Sequence, residues 1–218
     1  MEKYQVKQSI NAIRIEAHYL PCLAYFTAIY PFDTVWLEAA EHYGKQSYRN
    51  RCYVRTANGV DRLTVPVLNG THKQAIRDIK IDYRQSWAEQ QWRCLETAYR
   101  KAAFFEHYAE NFRTVYQKKY TFLFDLNVEM LTICLHSLGW QKSLKITEEF
   151  EKQPNKAEVA DMHAWISPRG DDQSGSVYRP FPYLQNFGSD FVPNLSLIDL
   201  IFCQGPLASE ILQCSRLE

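Results

Sequence analysis

The residues best suited to chemistry lie between Lys45 and Val67, KQSYRNRCYVRTANGVDRLTVPV, where Lys45, Arg49, Asn50 and Arg51 fall within seven positions of one another. Arginine presents a planar fork of donors matched to carboxylate or phosphate, lysine a mobile point charge, and asparagine both a donor and an acceptor. Held on paired strands, these groups make a site for an anion. Alternation puts Arg49 and Arg51 on the same side, so a solvated strand face is the plain alternative for both. His18, beside a proline turn, is the candidate general base, set against an exposed or core histidine. His72, in Asn69-Gly-Thr-His72, is a candidate substrate contact in a loop, and Asp125 reads as a helix cap before it reads as a catalytic acid.

Other chemistries lack their apparatus. The sequence has no G-x-G-x-x-G, no Walker glycine loop, no H-E-x-x-H and no G-x-S-x-G, which argues against dinucleotide binding, P-loop phosphoryl transfer, zincin proteolysis and a nucleophile-elbow hydrolase. Ser174-Gly-Ser176 has no base partner that sequence can locate. The six cysteines contain no C-x-x-C pair, and most are read as reduced and buried. His18 and Cys22 stand four apart without a matching second pair, so neither a metal nor another cofactor is expected.

The elements that must position these residues begin with strand, helix, strand over Ile13–Ala17, Pro21–Ile29 and Thr34–Leu37. A β-hairpin follows, with strands Asn50–Thr56 and Arg62–Val67 joined at Asn58-Gly59, a pair suited to positive φ at both positions. From Ser86 the period changes to that of a helix running to Ala103, with Trp87 and Trp92 in its apolar stripe, read as core before a sugar-stacking platform. Phe112 to Tyr120 suggests a second helix. A third starts near Asp125 or Asn127 and stops at Gly139, and Lys145–Thr147 returns as a strand. Residues 151–193 hold five of the nine prolines and read as a long loop or lid whose aromatics pack partly on the body. Ser196-Leu-Ile-Asp199 has capping-box spacing for a helix ending at Gly205, and Pro206 suits the first turn of a last one.

The fold expected is therefore α/β, with mixed α+β as the variant, in one domain over all 218 residues. Twenty-five basic and 25 acidic side chains cancel, which argues against nucleic acid as a partner and makes any anion site a local feature. No apolar run of signal-peptide or membrane-spanning length is present, and a cytoplasmic protein is expected.

The blocks together resemble the WbqC-like protein family, in its Bacteroidetes-type form. Its opening turn and aromatic helix are matched by His18-Tyr-Leu-Pro21 with Tyr25-Phe26, its Lys-x-x-aromatic-x-Asn-Arg element by Lys45, Tyr48, Asn50 and Arg51, and its Leu-Thr-Val-Pro-Val by Leu63 to Val67. Its Trp helix is similar to Trp87 through Tyr99 to Phe104-Phe105, and its tail to Pro193–Leu200. The departures are Gln91 where members often carry His, Glu38-Ala-Ala-Glu41 in place of an acidic pair, and the proline-rich loop in place of a Gly-rich insertion. Chemistry tied to that histidine is not carried over.

The resemblance implies a place in bacterial surface-polysaccharide, especially O-antigen, biosynthesis. It suggests a transferase of acyl, aminoacyl or glycosyl type on a nucleotide-linked or lipid-diphosphate-linked sugar, with Lys45, Tyr48, Asn50, Arg51 and His72 binding substrate. The alternative is a non-catalytic ligand-binding or scaffold protein of the same pathway.

Overall fold

A computed structural model describes residues 10–68, 73–151, 158–168 and 173–217. Four strands form a parallel sheet in the order β5-β2-β1-β6: β1 (Ala12–Glu16), β2 (Thr34–Glu38), β5 (Ser143–Ile146) and β6 (Ala160–Asp161). The first two are joined by helix α1 (Leu23–Ile29), buried along its whole length. An antiparallel hairpin, β3 (Arg51–Thr56) with β4 (Gly59–Thr64), makes a second sheet. Helices α2 (Trp87–Tyr99), α3 (Phe105–Gln117) and α4 (Leu123–Ser137) fill the middle, and α5 (Leu197–Gln204) and α6 (Ala208–Cys214) close the fold. α5 is the core helix, packed against α2, α3, α4, α6 and β3. The α/β expectation therefore stands, with an antiparallel hairpin beside the parallel sheet.

The two faces of the parallel sheet differ in chemistry. Side chains alternate along a strand and residues in parallel register share a face. Ile13, Ile15, Val35 and Leu37, all fully buried, thus lie on one face. Arg14, Glu16, Trp36, Glu38 and Asp161 share the other, and of these Arg14, Glu16 and Glu38 are buried too. Ionic groups this deep persist only when paired. Arg14 meets Asp161 through two hydrogen bonds of 3.0 Å and Glu38 at 3.3 Å. Glu38 also accepts from the Thr147 hydroxyl at 2.6 Å and the Ala40 amide at 2.9 Å.

Several local expectations are corrected. The hairpin register sets Thr56 opposite Gly59, so Ala57 and Asn58 make the turn, and of Asn58-Gly59 only Gly59 has positive φ, at 113°. Pro66 falls after β4 rather than within it. The second helix begins at Phe105, seven residues before its first anticipated apolar position. Neither Asp125 nor Asn127 caps α4, which starts at Leu123 with no side-chain cap. Asn127 is fully buried and donates to the carbonyls of Ala17, at 3.0 Å, and Arg49, at 2.7 Å. Ser196 caps α5 as expected, but Asp199 turns inward, so the capping box is half formed. All six cysteines are free, with only Cys22, Cys52 and Cys134 buried.

The described residues within 151–193 pack on the body at several points. Residues 160–161 add β6 to the sheet, and Met162 donates its amide to the Arg14 carbonyl at 2.9 Å. Further on, the Tyr183 hydroxyl donates to Asp199 at 2.6 Å and Asn186 to the Ala98 carbonyl at 2.5 Å. Asn194 holds left-handed φ (54°) and accepts from the Ala24 amide at 2.9 Å, capping α1 from the far end of the chain. An inward-facing tail thus replaces a local cap.

Candidate functional site

Glu16 ends β1, Glu41 follows β2, and His163 follows β6. All three lie beyond the carboxyl ends of parallel strands. The chain order proceeds from β1 through β2 to β5 on one side, then returns to place β6 on the other side of β1. That reversal is a topological switch point, the place where open α/β sheets leave a crevice for ligands. Here it gathers an ionic cluster.

Arg49 is the hub. Its Nε donates to Glu41 Oε1 at 2.7 Å, and its terminal nitrogen reaches both Glu41 Oε2 and Glu16 Oε1, the latter at 3.0 Å. His163 Nε2 lies 2.7 Å from Glu41 Oε2, and the Ala164 amide donates to Glu16 Oε1 at 2.7 Å. Glu16 and Glu41 are 1% and 3% exposed, so these bonds form where water screens little. Ala164 has φ of 63°, and Gln46, between Lys45 and Ser47, has 57°. Non-glycine residues held this way store strain that the surroundings must enforce.

Protons are redistributed through the cluster. Burial raises the pKa of Glu16, with Arg49 opposing and Glu41 adding to the rise. Glu16 Oε1 takes both donors, and Oε2 has no hydrogen-bond partner among the described residues. For Glu41, burial acts upward, but the hydrogen bonds from His163 and Arg49 outweigh it and the pKa falls. For His163, burial acts downward, and the Glu41 hydrogen bond with the nearby Glu16 charge reverses this to a net rise. A charged Glu41 can only accept, so Nε2 of His163 carries the proton and Nδ1 is the basic nitrogen. Arg49 is held charged: burial opposes its charge, and Glu16 and Glu41 more than compensate.

A cleft of about 130 Å³ opens on the Glu16 and Arg49 side of this cluster, lined also by Gly44, Lys45, Ser47 and residues 164, 166 and 167, with His163 next to Ala164 in the chain and not itself in the lining. Ser47 donates to the Gly44 carbonyl at 2.7 Å, closing the loop that carries Lys45 to the rim. Glu16, Glu41 and His163 each bring one ligand atom within 4.8 Å of the others, a spacing that a divalent cation can use. Arg49 already bonds both carboxylates, and its guanidinium supplies the charge compensation a metal would bring.

Residues 16–168 match the WbqC-like protein family. The chain belongs to that family. All four cluster residues fall inside the matched span. The chain is also similar to uncharacterized protein Rv1507c of Mycobacterium tuberculosis (strain ATCC 25618 / H37Rv), 27% identical over 225 residues that cover 93% of this chain and 97% of the relative. No solved structure matches.

Of the residues singled out in the sequence, Lys45 and Arg49 line the cleft. His18 is 1% exposed and lies between the rings of Tyr25, at 5.0 Å, and Tyr48, at 5.4 Å, with neither ring nitrogen hydrogen-bonded among the described residues. Burial, then the charge of Arg49, pushes its pKa well below 6.5, which holds the ring neutral. Tyr48 is buried, and its carbonyl takes the Tyr19 amide at 2.9 Å. Asn50 donates to the Val65 carbonyl at 3.0 Å and fixes the exit of the hairpin. Arg51 opens β3 opposite Thr64, its Nε buried without a hydrogen-bond partner among the described residues. His72 lies outside the described residues. Gln91 is a structural bridge, accepting from the Tyr19 hydroxyl at 2.7 Å and donating to the Thr64 carbonyl at 2.9 Å.

The cluster members that sequence reasoning passed over as site residues are Glu16, Glu41 and His163, while Arg49 was named in the cation cluster but not given its carboxylate partners. Arg49, for which a solvated strand face was the alternative to an anion site, lies ahead of β3 with its side chain 11% exposed. A signal for Glu16 was present: a carboxylate ending a strand with apolar Ile13 and Ile15 demands a partner once buried, and Arg49 supplies the cation. His163 stands in the stretch read as a lid and shows no pattern of its own.

Proposed function

We propose that this chain is a cytoplasmic transferase of bacterial surface-polysaccharide (O-antigen) biosynthesis, acting on an activated sugar, with His163 as its general base. The observation that carries this reading is the 2.7 Å contact between His163 Nε2 and Glu41 at the switch point, beside a cleft rimmed by Lys45. Glu41 orients the imidazole and stabilises its protonated form, as a buried carboxylate does for a catalytic histidine. The cleft has room for reacting groups and not for a whole activated sugar, whose remainder extends over the rim.

In the step, a sugar hydroxyl or amine gives its proton to His163 Nδ1 while its lone pair forms the new bond to the acyl carbon of an activated acyl or aminoacyl donor. The leaving group departs with the electron pair of the broken bond and takes the proton back from the imidazolium. Lys45 supplies positive charge at the cleft rim, suited to substrate phosphate or carboxylate.

The test is a thermal-shift screen of nucleotide sugars, acyl donors and amino acids, followed by product analysis with any stabilising pair. His163→Ala is expected to bind the same ligands and to lose about 10²-fold or more in turnover, the usual weight of a general base. Unchanged turnover in that variant would remove His163 from the chemistry. Stabilisation by no small molecule, together with co-purification of a partner protein, would favour a scaffold.

A further inference from the structure

A second cleft lies on the helical side, between α2 and α3, and at about 560 Å³ it is within the range of ligand pockets. Its walls carry the rings of Tyr83, Trp87, Trp92 and Tyr116. Trp87 packs 5.7 Å from Tyr83, and Trp92 5.9 Å from Tyr116 and 6.2 Å from Phe105, so the rings brace one another. Arg93, Arg113, Lys118 and Lys119 contribute four cations to the same cleft, against carboxylates from Glu89 and Glu96. In a chain with no net charge, this is a local positive surface.

Two details point to a ligand rather than to packing alone. Trp87 is 6% exposed and lines the cleft, yet its indole N–H, which can only donate, has no hydrogen-bond partner among the described residues. The ion pairs Arg93–Glu89, Lys118–Glu129 and Arg113–Glu110 are exposed and weakly held, so an incoming anion can take over their cations.

We propose that this cleft binds a nucleoside diphosphate or a close chemical relative, its flat ring against the indoles of Trp87 and Trp92 and its phosphates on the cations of α2, α3 and the turn after α3. Aromatic faces receive any base, and arginine and lysine receive phosphate. The Trp87 indole N–H is buried as the ring stands, and binding turns the ring to bring it to an acceptor on the ligand. This site does not depend on the role given to His163.

Isothermal titration with uridine 5′-diphosphate and with inorganic pyrophosphate tests it, on the full-length protein and on the variants Trp92→Ala, Lys118→Gln/Lys119→Gln and His163→Ala. The diphosphate nucleoside is expected to bind the wild type and His163→Ala alike, and pyrophosphate at least about fivefold more weakly, because base stacking is absent. Trp92→Ala and the double lysine variant should each lose at least about fivefold in affinity. The double variant alters exposed side chains only, so it remains informative if Trp92→Ala fails to fold. No binding at millimolar ligand, equal affinity for pyrophosphate, or binding lost in His163→Ala and kept in the double lysine variant would each overturn the proposal.

Discussion

At the scale of single residues, Arg49 organises the site. Removing it leaves Glu16 and Glu41 buried beside each other without their cation, so Arg49→Ala is expected to cost on the order of 3–5 kcal/mol in chemical denaturation. His18 acts with the opposite sign. Its folded pKa lies below its ordinary value of 6.5, so its burial is tolerated fully above that pH and weakens the fold as pH falls beneath it. His18→Phe, which keeps an aromatic ring between Tyr25 and Tyr48, is expected to flatten the stability loss between about pH 6.5 and 5. An unchanged slope would show that another group titrates there. His163 has a raised pKa, so its contribution is complete below 6.5 and is lost as pH rises through the folded value. Lys45 was legible from sequence because a lysine at a loop rim depends on little else. Arg49 was not, because strand alternation alone cannot distinguish a solvated cation from one that meets carboxylates brought in from β1 and the β2 exit.

Among the elements, the tail from Tyr183 to Asp199 ties the two halves of the molecule. Asp199 is fully buried and accepts from Tyr99 at 2.7 Å, Tyr183 at 2.6 Å and Gln185 at 3.2 Å. Tyr99 in turn accepts the Arg55 amide at 3.0 Å, so one carboxylate links α5, α2, β3 and the tail. Asp199→Ala strands two tyrosine hydroxyls and is expected to cost on the order of 3 kcal/mol. Hydrogen exchange should quicken in residues 183–195 beyond any global change, and uniform exchange across the chain would contradict this linking role. The strands, hairpin and helices were legible because each carries its own period. The parallel addition of β6 was not, since two residues carry no period and their pairing to β1 is a long-range choice. Asp199 misled for a related reason: capping spacing is local, whereas the tyrosines that claim its carboxylate arrive from α2 and the tail.

The molecule as a whole sets two chemically different clefts on opposite kinds of scaffold. A small acidic and basic cluster sits at the switch point of the parallel sheet, and a larger aromatic and cationic cleft lies between helices. Between them, the Tyr19 hydroxyl donates to the Gln91 amide oxygen and bonds the Tyr116 hydroxyl, while the Tyr19 amide donates to the Tyr48 carbonyl. Gln91 serves this bridge and is no part of the Glu41–His163 pair. Its presence therefore leaves the acid–base reading intact. That reading depends on one proton, held on Nε2 of His163 by a charged Glu41. Nitrogen-detected NMR titration of His163 in the wild type and in Glu41→Gln measures it directly. The predicted result is an Nε2–H tautomer with a pKa above 6.5 in the wild type, falling in Glu41→Gln. An Nδ1–H tautomer, or a titration that Glu41→Gln leaves unmoved, would contradict the assignment of His163 as the base.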